Sequence, residues 1–316
     1  MKSVNASIDL DPADFIIKWR ITEMCNVKCS YCMHIQREEL TDGLIKPQEE
    51  RLCEVASQIS KLLDKTDFNK VKIDMIGGEV TIFDLKKIVS HVNTPKLKRI
   101  NLTTNFLKGK EYYKDFAMYC RDRGIEVTAT ASFHYEFQTF EKYFEKIEYL
   151  KPFFKILACE VVSNEDNQDL VRRFCDKCKE LDVDYMCDVD LRLEKEDSRQ
   201  KGLINETGKS YKTPRYKVFF TDGSEKEYIS RNQFLQDKDV LENRWQKAIF
   251  TNELFCTNSY NYIYIAFDTV GGRKKDDPCC CNKIKIEDFE IVKPSPCVMT
   301  NCTICGHQSL WRAGWK

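Results

Sequence analysis

Three cysteines fall within eight positions in "ITEMCNVKCSYCMH" (21–34): Cys25, Cys29 and Cys32, spaced Cx3Cx2C. A structural zinc site asks for four closed ligands, and a 4Fe–4S cluster ordinarily takes four thiolates. Three thiolates leave one iron of such a cluster without a protein ligand. An open iron can chelate a small molecule and pass an electron to it, so the spacing points to chemistry rather than to a structural staple.

Such a loop needs a rigid frame, and the surrounding sequence supplies one. "FIIKWRIT" (15–22) reads as a strand that ends where the loop begins. Leu52, Val55, Ile59 and Leu62 then recur at helical spacing and form one apolar stripe. "VKIDMIG" (71–77) predicts a second strand with a helix over 82–93. "LKRINLTTN" (97–105) predicts a third, with a helix over 109–123, and "IEVTATASF" (125–133) a fourth, followed by the helical "FQTFEKYFEKIEYL" (137–150). "FKILACEVVS" (154–163) and "VDYMCDVDL" (183–191) are the fifth and sixth strands, separated by a helix over 166–181. Strands alternating with helices argue for a parallel sheet of βα units. About six units are too few to close an eight-strand barrel, so the expected fold is α/β, a partial (β/α)6 TIM-like barrel. The three-cysteine loop then lies at the C-terminal edge of the sheet, where parallel α/β enzymes keep their active sites.

The rhythm breaks after 191. The polar stretch 194–210 reads as a linker, and "YKVFFTDGSEKEYI" (216–229) as a hairpin turning on Asp222-Gly223. A helix is expected over 231–249, then a cysteine-rich tail. The expected division is a barrel over 1–193, a connecting segment over 194–253 and a small cysteine-rich C-terminal domain over 254–316. Of 16 cysteines, seven crowd that tail. With no signal peptide or long apolar run, thiols in this number read as cytoplasmic, where clusters of them bind metal more often than they pair. Fifty basic and 50 acidic side chains cancel, which provides no global field for nucleic acid or an anionic membrane.

Cys25, Cys29 and Cys32, with Tyr31 in the aromatic slot, resemble the CxxxCxΦC signature of the radical S-adenosylmethionine (SAM) superfamily. The resemblance extends to "IGGEVT" (76–81), where Val80 stands in place of a proline, and to "TTN" (103–105) and Ser132 at successive strand ends. It implies that Cys25, Cys29 and Cys32 hold a 4Fe–4S cluster whose fourth iron takes the amino and carboxylate groups of SAM. It further implies that Gly77, Gly78 and Glu79 bind the SAM amino group. Asn105 and Ser132 would approach the ribose or carboxylate, and Val162 and Tyr31 the adenine. The implied chemistry is reductive cleavage of SAM to a 5′-deoxyadenosyl radical that abstracts a substrate hydrogen, with flavodoxin or ferredoxin as electron donor.

The tail, "CTNSYNYIYIAFDTVGGRKKDDPCCC" (256–281) followed by "PCVMTNCTICGH" (296–307), places a cysteine, a strand, a Gly-Gly turn and further cysteines in order. It is similar to the SPASM and twitch extensions of the same superfamily, without the CxxCx5C run of a two-cluster domain. That implies one auxiliary 4Fe–4S cluster held by Cys256, one of Cys279–Cys281 (Cys279 taken first), Cys302 and Cys305. Cys297 is a rival ligand, and a structural zinc would use the same set.

Other residues invite weaker readings. Cys175 and Cys178 form a CxxC on a helix, where packing is the expected fate. Cys159 or Cys187, if turned into the barrel, could donate hydrogen in an epimerase, although packing is commoner. His134 and Tyr135 sit past the fourth strand as substrate contacts. Asp188 shares a face with Asp190 and could bind polar substrate groups, while His34 is expected to shape the cysteine loop. With the first strand near 15, no peptide-binding domain is expected ahead of the barrel, which favours a small molecule or a short peptide as substrate. A non-catalytic iron–sulfur or zinc protein is the alternative of another class.

Overall fold

The structure is a computed structural model that describes residues 4–9, 15–32, 40–190, 203–204, 207–208, 216–220, 223–228, 255–256, 262–274, 277–291 and 295–296. In chain order the elements are β1 (Val4–Asp9), β2 (Phe15–Thr22), α1 (Asp42–Asp64), β3 (Val71–Gly77), α2 (Leu85–Ser90), β4 (Leu97–Thr104) and α3 (Lys110–Asp122). There follow β5 (Glu126–Phe133), α4 (Phe140–Leu150), β6 (Ile156–Ser163), α5 (Gln168–Glu180), β7 (Asp184–Val189) and β8 (Thr207–Gly208). The remainder is all strand: β9 (Tyr216–Phe220), β10 (Glu225–Tyr228), β11 (Phe255–Cys256), β12 (Tyr262–Ala266), β13 (Thr269–Lys274), β14 (Asp277–Lys285) and β15 (Ser295–Pro296).

The contacts divide the chain into two units: Trp19–Lys65 with Lys72–Ser210, and Met1–Lys18 with Thr66–Val71 and Tyr211–Lys316. In the first, strands follow one another in space as in sequence, β2-β3-β4-β5-β6-β7, with β8 at the end. The β4–β5, β5–β6 and β6–β7 pairs are parallel and in register, from Arg99↔Glu126 to Ser163↔Val189. Sequential order with a helix in each crossover is the course of a (β/α)6 partial barrel. All six expected strands are present. The helix expected over 82–93 is shorter, because Asp84 caps it by accepting from the backbone N–H groups of Lys86 and Lys87. The expected linker is partly sheet, since Thr207–Gly208 pairs antiparallel with Tyr185 and Met186.

One face of this sheet is a dry aromatic layer. The Phe133 ring lies 5.9 Å from that of Phe174 at an interplanar angle of 10°, and Tyr143 packs against both. The Tyr143 hydroxyl donates to the Ala131 carbonyl at 2.7 Å, which satisfies the one polar atom that this ring buries. Alternation puts Leu157, Cys159, Val161 and Ser163 of β6 in the buried set and Ala158, Glu160 and Val162 on the more open face.

In the second unit, β9 pairs with both β1 and β10. The β9–β10 pairing is antiparallel as expected of a hairpin, and Gly223 has φ +81°, while Asp222 lies outside the described residues. β1 lies ahead of the strand that sequence patterning put first. β12, β13 and β14 form an antiparallel meander. The Gly-Gly turn expected there is corrected. Gly271 and Gly272 sit inside β13, paired with Lys283 and Asn282, and the β12–β13 connection falls at Phe267-Asp268, with Phe267 at φ +58°. The helix expected over 231–249 lies outside the described residues. Among the described residues no helix is long and apolar enough to cross a membrane.

Candidate functional site

The cysteine loop leaves β2 at Thr22 and is stitched at once to the end of β3. The Gly78 N–H donates to the Thr22 carbonyl at 2.9 Å and the Glu79 N–H to the Met24 carbonyl at 2.8 Å. A Cβ on Gly77 would stand 2.3 Å from the Thr22 oxygen, and one on Gly78 2.0 Å from the Met24 oxygen. The two glycines therefore let one backbone lie against another. Each close approach that these glycines make is to the root of the cysteine loop.

Glu79 is fully buried. Oε1 accepts from the Thr81 N–H at 2.9 Å, the Thr81 hydroxyl at 2.6 Å and the Thr104 hydroxyl at 2.7 Å; Oε2 accepts from the Asn105 N–H at 2.6 Å. Burial pushes its carboxyl above the ordinary carboxylate range, against the downward pull of these donors. The side chain thus ties the end of β3 to the end of β4. Asn105 carries the tie onward, donating from Nδ2 to Asn26 Oδ1 at 2.6 Å and lying 3.8 Å from the Cys25 sulfur.

The other half of the loop is held from the end of β5. His134 Nδ1 lies 2.9 Å from the Tyr31 hydroxyl and 3.2 Å from the Cys29 sulfur. The Tyr31 ring, buried, rests between those of His134 and Tyr135, with centroids at 5.9 and 5.1 Å. Glu136 accepts from the Ser30 N–H at 2.9 Å and from its hydroxyl at 2.5 Å. Sequence reasoning missed Glu136 altogether, since a lone acid after a strand carries no signal until the fold folds it back on Ser30. His134, expected at substrate, contacts the cysteine loop.

Cys25, Cys29 and Cys32 are half-buried and none is in a disulfide. Burial pushes the Cys29 thiol up to about 11, opposed by a hydrogen bond with Tyr31 and aided by Cys25, Cys32 and Glu136. Among the described residues, no three His, Cys, Asp or Glu side chains converge on one metal-ion position. A 4Fe–4S cluster takes each thiolate on a different iron, so three soft, partly exposed sulfurs on one tethered loop fit that group without sharing one point.

Two further expected contacts sit on the open face of the sheet. The Ser132 hydroxyl donates to Glu160 Oε2 at 2.8 Å, across a register pair of β5 and β6. Val162 is half-buried, its carbonyl accepting from Asn167 Nδ2 at 2.8 Å, and it pairs in register with Asp188. The side chain of Asp188 lies outside the described residues, as does His34. So do the side chains of Cys256 and Cys279–Cys281, which are on β11 and β14, and the whole of Cys297, Cys302 and Cys305.

The two barrel cysteines take the commoner of their two expected fates, packing, and not the hydrogen-donor alternative. Cys159 and Cys187 are buried on the helix-facing side of the sheet, where Cys187 lies 3.2 Å from Cys175 of α5 and Cys159 meets Tyr143 and Cys178. Strand alternation decides this: the neighbouring Glu160 and Met186 take the open face instead.

No family model matches the chain. A probable GTP 3′,8-cyclase of Methanococcus maripaludis is 32% identical over 108 residues, 34% of this chain and 32% of that protein. An S-adenosylmethionine-dependent nucleotide dehydratase of Psychrobacter lutiphocae is 27% identical over 109 residues, 33% of this chain and 35% of that one. The matches thus span about a third of the length of these relatives. Among solved structures, Streptococcus suis SuiB bound to S-adenosylmethionine aligns at a TM-score of 0.49 and 13% identity, over 88% of this chain and 64% of that one. A three-cysteine loop rooted in a Gly-Gly-Glu turn stands at the strand ends of a sequentially wound sheet, and over about a third of its length the chain is similar to enzymes of the radical SAM superfamily.

Proposed function

We propose that the protein is a radical SAM enzyme, with Cys25, Cys29 and Cys32 as ligands of a 4Fe–4S cluster whose open iron receives SAM. The observation that carries this reading is the tethering of the loop. Gly78 and Glu79 hold its root, Asn105 reaches the Cys25 side, and His134 and Glu136 hold the Cys29–Cys32 side. Loaded with electrons and SAM, such a cluster supplies one-electron cleavage of the sulfonium to a 5′-deoxyadenosyl radical, which takes a hydrogen atom from the substrate.

The protein's own part is to bind, orient and shield. Glycine at 77 and 78 lets the end of β3 lie against the root of the cysteine loop. Glu79 acts by positioning Asn105 rather than by a free carboxylate, and Ser132, paired with Glu160, presents a polar edge toward the ribose. Val162 and the Tyr31 ring offer apolar surface to the adenine. The open sheet face that carries Ser132 and Glu160 favours a substrate with hydrogen-bonding groups, a small molecule or a peptide, for oxidation or cross-linking. An auxiliary cluster on Cys256, one of Cys279–Cys281, Cys302 and Cys305, with Cys297 as rival, would accept an electron from the product or help hold the substrate. A flavodoxin or ferredoxin would supply the reducing electron.

Anaerobic reconstitution with iron and sulfide tests the reading. The expected result is a brown protein that releases 5′-deoxyadenosine from SAM under strong reductant, with release abolished by Cys25→Ala, Cys29→Ala or Cys32→Ala. Colourless protein that holds zinc, or SAM left intact, overturns it.

A further inference from the structure

The cysteine loop is supported from outside by the segment that follows β5. β5 ends at Phe133, anchored in the aromatic layer, so the residues that follow leave from a fixed point. The Phe137 and Gln138 N–H groups both donate to the His134 carbonyl, at 2.9 and 3.1 Å, which closes a tight turn. Gln138 Nε2 reaches the carbonyls of Asn105 and Ser132 at 3.2 and 3.3 Å, and Asn164 donates to the Tyr135 hydroxyl at 2.9 Å. The turn is thereby tied to the ends of β4, β5 and β6, and it presents His134 and Glu136 to a loop more than a hundred residues earlier in the chain.

We propose that His134 and Glu136 are positioning residues for the cluster: Glu136 fixes the turn between Cys29 and Cys32 through Ser30, and His134 hydrogen-bonds the sulfur of Cys29. This rests on the reading of Cys29 as an iron ligand. A thiolate bound to iron offers only lone pairs, so a ring nitrogen 3.2 Å away is favourable in the tautomer that carries hydrogen on Nδ1, a hydrogen that the sulfur then shares with the Tyr31 hydroxyl oxygen at 2.9 Å. An N–H···S bond withdraws electron density from the sulfur and stabilises the reduced cluster, and such bonds are among the features that set iron–sulfur potentials. Glu136 acts on geometry. By accepting both the N–H and the hydroxyl of Ser30 it fixes the backbone that spaces Cys29 from Cys32.

The test uses the full chain, reconstituted anaerobically without SAM. Redox titration followed by electron paramagnetic resonance should move the midpoint of His134→Leu to more negative potential. His134→Asn, which returns an amide N–H near the place of Nδ1, should recover most of that shift. Ser30→Ala, which removes only the hydroxyl bond, should lose iron to a strong chelator about fivefold faster, the effect of about one net hydrogen bond, and Glu136→Ala, which also removes the bond from the Ser30 N–H, faster still. The double variant should be no faster than Glu136→Ala alone, because that change already removes both bonds to Ser30. A His134→Leu midpoint equal to wild type, or a Glu136→Ala iron-loss rate equal to wild type, overturns the inference while leaving the cofactor reading intact. Wild-type protein that takes up no iron, or Cys29→Ala that keeps the full complement, overturns both.

Discussion

Two CxxC pairs lie in the larger unit, Cys29-Ser-Tyr-Cys32 and Cys175-Asp-Lys-Cys178, and their surroundings are opposite. The first is on an irregular loop at the strand ends, half-buried, with hydrogen-bonding side chains from two other segments turned toward that loop. The second is on α5, where residues three apart share one face, and that face is pressed on the sheet. There Cys175 and Cys178 join Cys159 and Cys187 in a layer that also holds Phe174 and Tyr143, and burial holds the Cys178 thiol well above its ordinary 9.0. A protonated, water-free sulfur behaves as a small apolar side chain. Identical spacing therefore reports metal chemistry in one place and packing in the other, and what separates them is access to solvent and the kind of atom that surrounds the sulfur.

The comparison is broken most directly at the cysteines themselves. Removing Cys25, Cys29 or Cys32 should abolish 5′-deoxyadenosine release and the iron that they hold. Cys175→Ala with Cys178→Ala should leave both in place and lower stability by about 1 kcal/mol each, read in a denaturant melt. Equal iron loss from both variants would erase the distinction.

Gly78→Ala should come next. Its Cβ meets backbone on the far side, so the loop root must shift, at about 1–3 kcal/mol or more in thermal unfolding and with impaired iron uptake. An alanine variant with wild-type melting and iron content would show that the stitch between β3 and the loop is dispensable.

Glu79→Gln tests the tie one step further out. An amide accepts through one oxygen only and turns its NH2 toward groups that are themselves donors, leaving some of the four unsatisfied at about 1–3 kcal/mol. SAM affinity should fall with stability. A variant as stable as wild type that has lost only SAM binding would assign Glu79 to direct ligand contact.

The smallest effect concerns pH. A thiol whose folded value lies above its unfolded value keeps its proton in the native state after the unfolded chain has lost it. The stability contributed by Cys178 is thus fully present below about pH 8.5 and is lost as pH rises above that toward the folded value. The alkaline decline in melting temperature should flatten in Cys178→Ala. In folded protein freed of iron, iodoacetamide should mark Cys25 and Cys32 well before Cys159, Cys175, Cys178 and Cys187, and equal rates would contradict the buried layer.

Much of the frame was legible in the residues. "FIIKWRIT" and "VKIDMIG" carry runs of apolar and β-branched residues between breakers, and β2 and β3 fall on those stretches. The stripe Leu52, Val55, Ile59 and Leu62 forms the buried face of α1. Boundaries set by caps were less visible, as at Asp84. Gly271-Gly272 misled, because paired glycines suit a turn yet are also tolerated within a strand, and here the reversal falls on Phe267.

Local sequence determined the identity of the reactive atoms: three sulfurs on one loop, two glycines and an acid at the next strand end, and the order of the strands between them. Spacing along the chain reaches that far because each of these groups is defined within a few residues. Only the tertiary structure decided which face each strand residue takes, and so that Cys159 and Cys187 pack while Ser132 and Glu160 look outward. It also turned the Glu79 carboxylate inward and brought His134 and Glu136 against Cys29 and Ser30. Those outcomes depend on distances between segments a hundred residues apart, which hydrophobic packing sets and no local pattern encodes.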